Sequence, residues 1–298
     1  MKTLENKIDF ALVFTVRNAN PNGDPIDGNR PRTTYEGLGE VSDVCLKRKI
    51  RNRLLDEEYP IFVQSDERRN DDYRSLLDRV NGNAAITACM KKIKAGDATR
   101  EDYAKTACEQ WFDVRAFGQV FAFKKSGKGK DDEEGEDAVS IGIRGPVSIQ
   151  PAFSLGTVNI TSQQITKSVN LETGADPDKK GKDTMGMKHR VDFGVYQTFG
   201  SINVQTAKKT GFSDEDAEAL KEALRTLFRN DATSARPEGS MEVVNVVWWK
   251  HSCPNGNLSS AKVHRTLSVQ MTDGGEVSVS VRREALPKEI EVQIIDGE

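Results

Sequence analysis

The segment Ile8 to Val16 constrains this chain most. Ile8, Phe10, Leu12, Phe14 and Val16 alternate with Asp9, Ala11, Val13 and Thr15, the period-two pattern of a buried strand. The chain then enters Asn18-Ala19-Asn20-Pro21-Asn22-Gly23-Asp24-Pro25, a dense run of turn formers, and a glycine-rich loop continues to about Gly39. Ser42 or Asp43 can cap a helix that reaches about Glu58. Its apolar residues form two stripes, Val41, Val44, Cys45 and Leu55 on one side and Leu46, Ile50 and Leu54 on the other. Lys47, Lys49, Arg51 and Arg53 lie between them. That pattern predicts a helix held between a sheet and a second layer, with its charges escaping at the edges.

From about Asp71 to Asp113 the spacing turns helical, with Leu76, Leu77 and Val80, then Ile86, Met90 and Ile93, then Tyr103, Ala107 and Trp111. This block reads as an insertion. Lys124 to Asp137 is of low complexity, basic and then acidic, a composition that predicts a solvated loop or hairpin tip. Strands are predicted at Val139–Phe153, in the polar stretch Thr157–Val169, and at Val191–Val204, Val243–Trp249, Val263–Val269, Val277–Val281 and Ile290–Ile295. Leu171–Lys188 is basic and without apolar period until Met185. Ser213 caps a helix over Asp214–Arg229 that turns Ala217, Leu220, Leu224, Leu227 and Phe228 inward. With the insertions set aside, the order is strand, helix, strand, strand, helix, strand. That is the α+β plan of ferredoxin-like and RRM domains, with extra C-terminal strands extending or flanking the sheet.

Composition limits the chemistry. Cys45, Cys89, Cys108 and Cys253 share no CxxC spacing and read as reduced, packed thiols, which fits a cytoplasmic protein. The three histidines, His189, His251 and His264, build no Ser–His–Asp or Cys–His set by spacing. No HExxH, phosphate-binding loop or dinucleotide fingerprint is present, so no cofactor and no metal are expected. There is no run long enough to cross a bilayer and no signal-peptide pattern at Met1–Asp9. The net charge is −3, but its distribution matters more than its sum. Arg17 to Arg53 holds eight Lys or Arg against five acids, and Lys179 to Arg190 holds five against Asp183 alone.

The remaining candidates are groups for binding. The Asn18–Asp24 loop, beside Arg17, Arg30 and Arg32, offers amides to a phosphate, with a plain β-turn as the alternative. The helix cations Lys47, Lys49, Arg51 and Arg53 read as either phosphate contacts or a solvated face. Arg144 and Gly145, in Gly142-Ile143-Arg144-Gly145, suit close approach of a phosphate chain, or else form a bulge with a surface arginine. Asp183-Thr184-Met185-Gly186-Met187-Lys188-His189-Arg190 joins two apolar wedges to cations at a hairpin tip, and Lys167 lies in the preceding strand region. Asp24 and Asp27 are the best candidates for a metal or general-base carboxylate, although turn-forming is the simpler role.

Four motifs then fall in one order: Arg17 to Pro25, Asp113-Val114-Arg115-Ala116-Phe117-Gly118, Gly142 to Val147, and His189-Arg190-Val191-Asp192-Phe193-Gly194-Val195-Tyr196. Together they resemble the seventh CRISPR-associated protein family, in its type I-C subgroup, over nearly the whole chain. The resemblance implies a hand-shaped, non-catalytic subunit of the RAMP superfamily. Its RRM-like palm would span 1–59, 119–156 and 205–298, with helical fingers at 60–118 and a β-hairpin thumb at 157–204. It implies that copies stack head to tail on a guide RNA (crRNA) in a Cascade antiviral complex. The other partners would be fifth- and eighth-family subunits, a small subunit, and target DNA paired through the RNA. Asn20, Asn22, Lys49 and Arg53 become candidate RNA contacts. Two other readings stand beside it: a metal-dependent RNA-cleaving enzyme of the same superfamily using Asp24, and a metabolic enzyme that binds a phosphorylated small molecule.

Overall fold

A computed structural model describes residues 2–123, 139–166, 185–272 and 276–298. Lys167, the low-complexity run 124–137 and the basic segment as far as residue 184 lie outside the described residues. The first strand, β1 (Ile8–Ala19), leads into a small ribbon of β2 (Gly23–Asp24) and β3 (Arg30–Pro31), then β4 (Leu38–Val41) and the first helix α1 (Asp43–Asp56). Four helices follow, α2 (Leu76–Gly82), α3 (Ala84–Ala95), α4 (Arg100–Gln110) and α5 (Phe112–Phe117), and a hairpin of β5 (Gly118–Phe123) and β6 (Val139–Arg144). Next come β7 (Val147–Ile149), β8 (Ala152–Thr157), β9 (Ile160–Thr166) and the long β10 (Met185–Ile202). The chain ends with α6 (Val204–Thr210), α7 (Asp214–Arg225), β11 (Met241–Lys250), α8 (Ser260–His264), β12 (Leu267–Met271), β13 (Val277–Val281) and β14 (Glu291–Asp296).

The main sheet is antiparallel and mixed with helices, in the order β14-β11-β1-β10-β8-β4. β1 sits inside it because both its faces are apolar. Phe10, Leu12, Phe14 and Val16 enter the large core, and Ala11 enters a smaller one on the opposite face. In the large core α1 contributes Leu46, Ile50 and Leu54, and α7 contributes Ala217, Leu220 and Leu224. Phe10 stacks on Trp248 at 5.6 Å and Phe14 on Tyr196 at 5.3 Å between ring centres. The elements β1, α1, β8, β10, α7 and β11 realise the expected strand–helix–strand–strand–helix–strand order. Ser213 caps α7 as expected. It belongs to a reciprocal capping box in which Asp216 accepts from the Ser213 amide.

Three expectations are corrected. Residues 119–123 and 139–144 do not join the main sheet: Phe121 and Ile141 of the β5–β6 hairpin pack with Phe62, Val80, Ile86, Tyr103 and Trp111, the core of the helical block. Leu76 and Leu77, read with Val80 as apolar positions of the helical pattern, are exposed. Val263–Val269 is not one strand: Val263 lies in α8 and is buried against the outer face of the sheet, and the chain turns before β12. β14 extends the sheet, while the β12–β13 hairpin flanks that outer face through Leu267, Val279 and Val281.

Three buried carboxylates hold the parts together. Asp113 of α5 accepts from the Phe62 and Val63 amides at 2.7 and 3.1 Å and from Arg51 Nε of α1 at 2.9 Å. Arg115, one half-turn on, forks onto Asp216 of α7 at 2.9 and 2.6 Å. On the other face of the sheet, Asp9 of β1 takes Lys7 Nζ at 2.9 Å and His251 Nε2 at 2.8 Å. Lys7 also donates to Ser260. Burial pushes the Asp9 carboxyl up, but the hydrogen bonds from His251, Ser260 and Lys7 outweigh it and hold the group below the usual range. Sequence spacing did not connect Asp9 with His251.

Removing Asp113 strands a half-buried guanidinium and two amides at once. Asp113→Ala is expected to cost about 3–5 kcal/mol in urea unfolding. A loss below about 1 kcal/mol would show that Asp113 does not tie α1 to the helical block.

Candidate nucleic-acid interface

The loop after β1 is shaped by its own asparagines. Asn20 is buried, and its Nδ2 donates to the Asn29 carbonyl at 2.7 Å. Asn22 Oδ1 accepts from the Ser42 amide at 3.0 Å and the Ser42 hydroxyl at 2.9 Å, which fastens the loop to the N-terminus of α1. Asp24 Oδ1 accepts from the Ile26 amide at 3.1 Å, a turn made by its own side chain, and lies 3.4 Å from Arg32 Nη2. Asn20 and Asn22, named from the sequence as outward contacts, therefore point into the loop. Asn18 stays exposed, at a left-handed φ of 52° that asparagine tolerates.

The first helix is the largest correction. Lys49 and Arg53 are 2% and 4% exposed, so neither faces a surface groove. Lys49 pairs with Asp231, which Arg236 also meets at 3.2 Å, and its ammonium is drawn below the usual lysine range by burial. Arg53 donates to Thr226 Oγ1 at 2.7 Å and pairs with Glu57. Arg51 is committed to Asp113, and Lys47 to Asp43 at 3.1 Å. The exposed cation of this helix is Arg48, which sequence reasoning missed; it makes no hydrogen bond or ion pair with another described residue. The signal was available. If Leu46, Ile50 and Leu54 point inward, the helical period turns positions 44 and 48 outward, and Val44, read from the sequence as part of an apolar stripe, is 69% exposed.

Arg144 is exposed and unpaired among the described residues. Gly145 has a structural reason to be glycine: a Cβ there would lie 2.3 Å from the Ala116 carbonyl oxygen, where the chain crosses Ala116–Gly118. Close approach of a ligand is not what requires it. Arg17 is exposed and lays its guanidinium over the Phe193 ring at 4.6 Å. The two line an open cleft of about 480 Å³ with Thr15, Ser240, Glu242 and Glu276.

The ribbon of β9 and β10 sorts its side chains by pairing. Met185, Met187 and His189 stand opposite Thr166, Gln164 and Ser162 and share one face. Lys188 and Arg190 stand opposite Gln163 and Thr161 on the other. The methionines are exposed, Met185 at 68% and Met187 at 55%. The wedge and the cations, read from the sequence as one tip, thus face opposite ways. Arg190 Nε approaches Asp192 at 3.9 Å. The methionine face meets the first loop, since both Arg30 Nη1 and His189 Nδ1 reach Ser162 Oγ, at 3.1 and 2.8 Å. Among the described residues no three His, Cys, Asp or Glu side chains are grouped to hold a metal.

Fold and surface together define a mixed α+β protein that turns outward, from two strand ends, a helix and a ribbon, cations that are unpaired among the described residues. Residues 6–292 match the family model described as CRISPR-associated protein Cas7, and the chain belongs to that family. The chain is 30% identical over 246 residues to the CRISPR-associated protein Cas7 of Haloferax volcanii, covering 78% of this chain and 67% of that one. Among solved structures, a chain of a "CRISPR RNA-guided surveillance complex, pre-nicking" superposes with a TM-score of 0.45 at 14% identity, over 82% of this chain and 78% of that one. A chain of a "CRISPR RNA-guided surveillance complex" does so with a TM-score of 0.40 at 16% identity, over 82% and 68%.

The burial contrast along α1 has a direct readout. Lys49→Ala leaves Asp231 buried beside a single cation and is expected to cost about 2–4 kcal/mol. Arg48→Ala should stay within about 0.5 kcal/mol of the unchanged chain. Equal effects in a thermal melt would contradict the assignment of one cation to the core and the other to the surface.

Proposed function

We propose that this chain is the non-catalytic guide-RNA-binding backbone subunit of a type I-C Cascade complex. The observation that carries the reading is the family match over residues 6–292. The main sheet with α1 and α7 would be its RRM-like palm, the helical block with the β5–β6 hairpin its fingers, and the β9–β10 ribbon its thumb. Copies would stack head to tail along one RNA, because a linear polymer calls for a repeating, non-closing contact. The other Cascade subunits would join that filament in the cytoplasm, and target DNA would meet it by pairing with the guide.

A backbone of this kind must hold any guide sequence, so it needs donors for phosphates while bases are left free to pair. The outward cations suit that task. Arg17, Arg48, Arg144 and Lys188 are exposed and without acidic partners among the described residues. Met185 and Met187, exposed on one ribbon face, suit a wedge beside a displaced base. The engagement of Asp24 by Ile26 and Arg32 favours a turn-forming role for it over metal binding.

The test uses the chain with unrelated guide RNAs across a salt series. Arg48→Ala with Arg144→Ala should weaken every guide alike and lower the salt slope by about two. Negative-stain micrographs should show filaments that form with RNA, and Asp24→Ala should leave interference by the whole complex intact. A sequence-selective loss, an unchanged slope or a chain that stays monomeric on RNA would reject this function. Metal-dependent RNA cutting that disappears in Asp24→Ala would support the cleaving enzyme instead.

A further inference from the structure

We propose that Arg30, Ser162 and His189 form a single phosphate-binding site across the first loop and the β9–β10 ribbon, with Ser162 as its positioning residue. The proposal rests on the RNA-binding reading and adds to it a specific junction. Arg30 belongs to β3, and its amide is fixed to the Asp27 carbonyl at 2.9 Å. Ser162 belongs to β9 and His189 to β10, directly opposite each other in the ribbon's register. One hydroxyl oxygen joins all three, at 3.1 Å from Arg30 Nη1 and 2.8 Å from His189 Nδ1.

A serine hydroxyl has one hydrogen to give and lone pairs to accept with. Arginine can only donate, so Ser162 accepts from Arg30, and in the proposed site its own hydrogen goes to His189 Nδ1 rather than a second bond being accepted from Nδ1–H, an alternative that the ¹⁵N readout below separates. An imidazole that accepts at Nδ1 carries its proton at Nε2. Nε2–H and the second Nη of Arg30 then remain as donors on neighbouring side chains, anchored to the same atom. Among the described residues the carboxylate within ion-pair reach of this pair is Asp27, 3.6 Å from Arg30 Nε in an exposed contact of little strength.

A phosphodiester suits such a pair of donors. It has two non-bridging oxygens and one charge, and a guanidinium beside a neutral N–H can meet both oxygens. Without Ser162 the arginine would sample many rotamers and the imidazole either tautomer. With it, the loop and the ribbon act as one receptor, and a bound phosphate holds them in one relative position. The exposed methionines on the same ribbon face would then be aimed from a fixed base.

The experiment has two readouts on the full chain. The first is affinity for a labelled guide RNA at fixed salt. Ser162→Ala should weaken binding about five- to tenfold, and Ser162→Thr, which keeps the hydroxyl, should restore it to within about twofold. Arg30→Ala and His189→Ala should be non-additive when Ser162 is present and additive in the Ser162→Ala background. The second readout is the ¹⁵N signature of the His189 ring in the free protein, where Nδ1 should be the unprotonated nitrogen and should lose that signature in Ser162→Ala. Additive losses with Ser162 present, or a Ser162→Ala variant that binds like the parent, overturn the shared site. An unchanged ring signature in Ser162→Ala overturns the bridge while leaving RNA binding itself intact. If millimolar inorganic phosphate moves the ring resonances and guide RNA does not, the site takes small anions and not the RNA chain, and the proposed junction is overturned. If the parent binds no RNA while the ring signature is present, the functional reading fails and the bridge survives it.

Discussion

The inward-facing cations of the first helix organise the rest of the molecule. Lys49, Arg51 and Arg53 each leave α1 toward a different neighbour: Asp231 after α7, Asp113 of α5, and Thr226 at the end of α7. Desolvating a cation is costly unless a partner is already in place. Each of these contacts therefore fixes a remote part of the chain against the helix, and does so directionally, which apolar packing alone cannot do. The aliphatic stems of the same residues run along the core, and the Lys49 ammonium lies 5.6 Å from the centre of the Phe228 ring. Stability and placement of the helical block thus share one set of side chains.

The second motif noticed in the sequence has its reason in the same place. Asp113 secures Phe62, Val63 and Arg51, Arg115 secures Asp216, and Gly118 turns at a φ of 81°. Gly145 is pressed against that turn from the other side. Asp113 to Gly118 and Gly142 to Val147 therefore form one structural joint between the main sheet and the helical block. A pattern of charged residues and glycines resembles a ligand site in a sequence because a buried joint needs the same chemistry: forked donors, carboxylates and close backbone approach.

Much of the fold was legible because it depended on local rules. The alternation at Ile8–Val16, the Ser42 and Ser213 caps and the inward stripe of α7 each appear where spacing put them. Val263 misled because an isolated apolar residue in a short helix and one in a strand read alike. The candidate site was harder to read, for a related reason. Whether a lysine faces water or a carboxylate depends on residues far away in sequence, and Lys49 meets Asp231 across 182 positions. No periodicity in α1 encodes that partner. The outward direction of Arg48, by contrast, follows from the helix itself, once Leu46, Ile50 and Leu54 are assigned to the core.

The ribbon of β9 and β10 carries thioethers on one face and cations on the other, and this imposes a parity on its sequence. Side chains alternate strictly along a strand, so a single residue inserted before Val191 would exchange the two faces as far as Met185. A pair of inserted residues would only lengthen the ribbon. Changes of length here are tolerable in even steps alone, unless a bulge absorbs the odd residue and bends the strand. The reach of this arm can therefore be adjusted only in increments of about 7 Å, the rise of two strand residues.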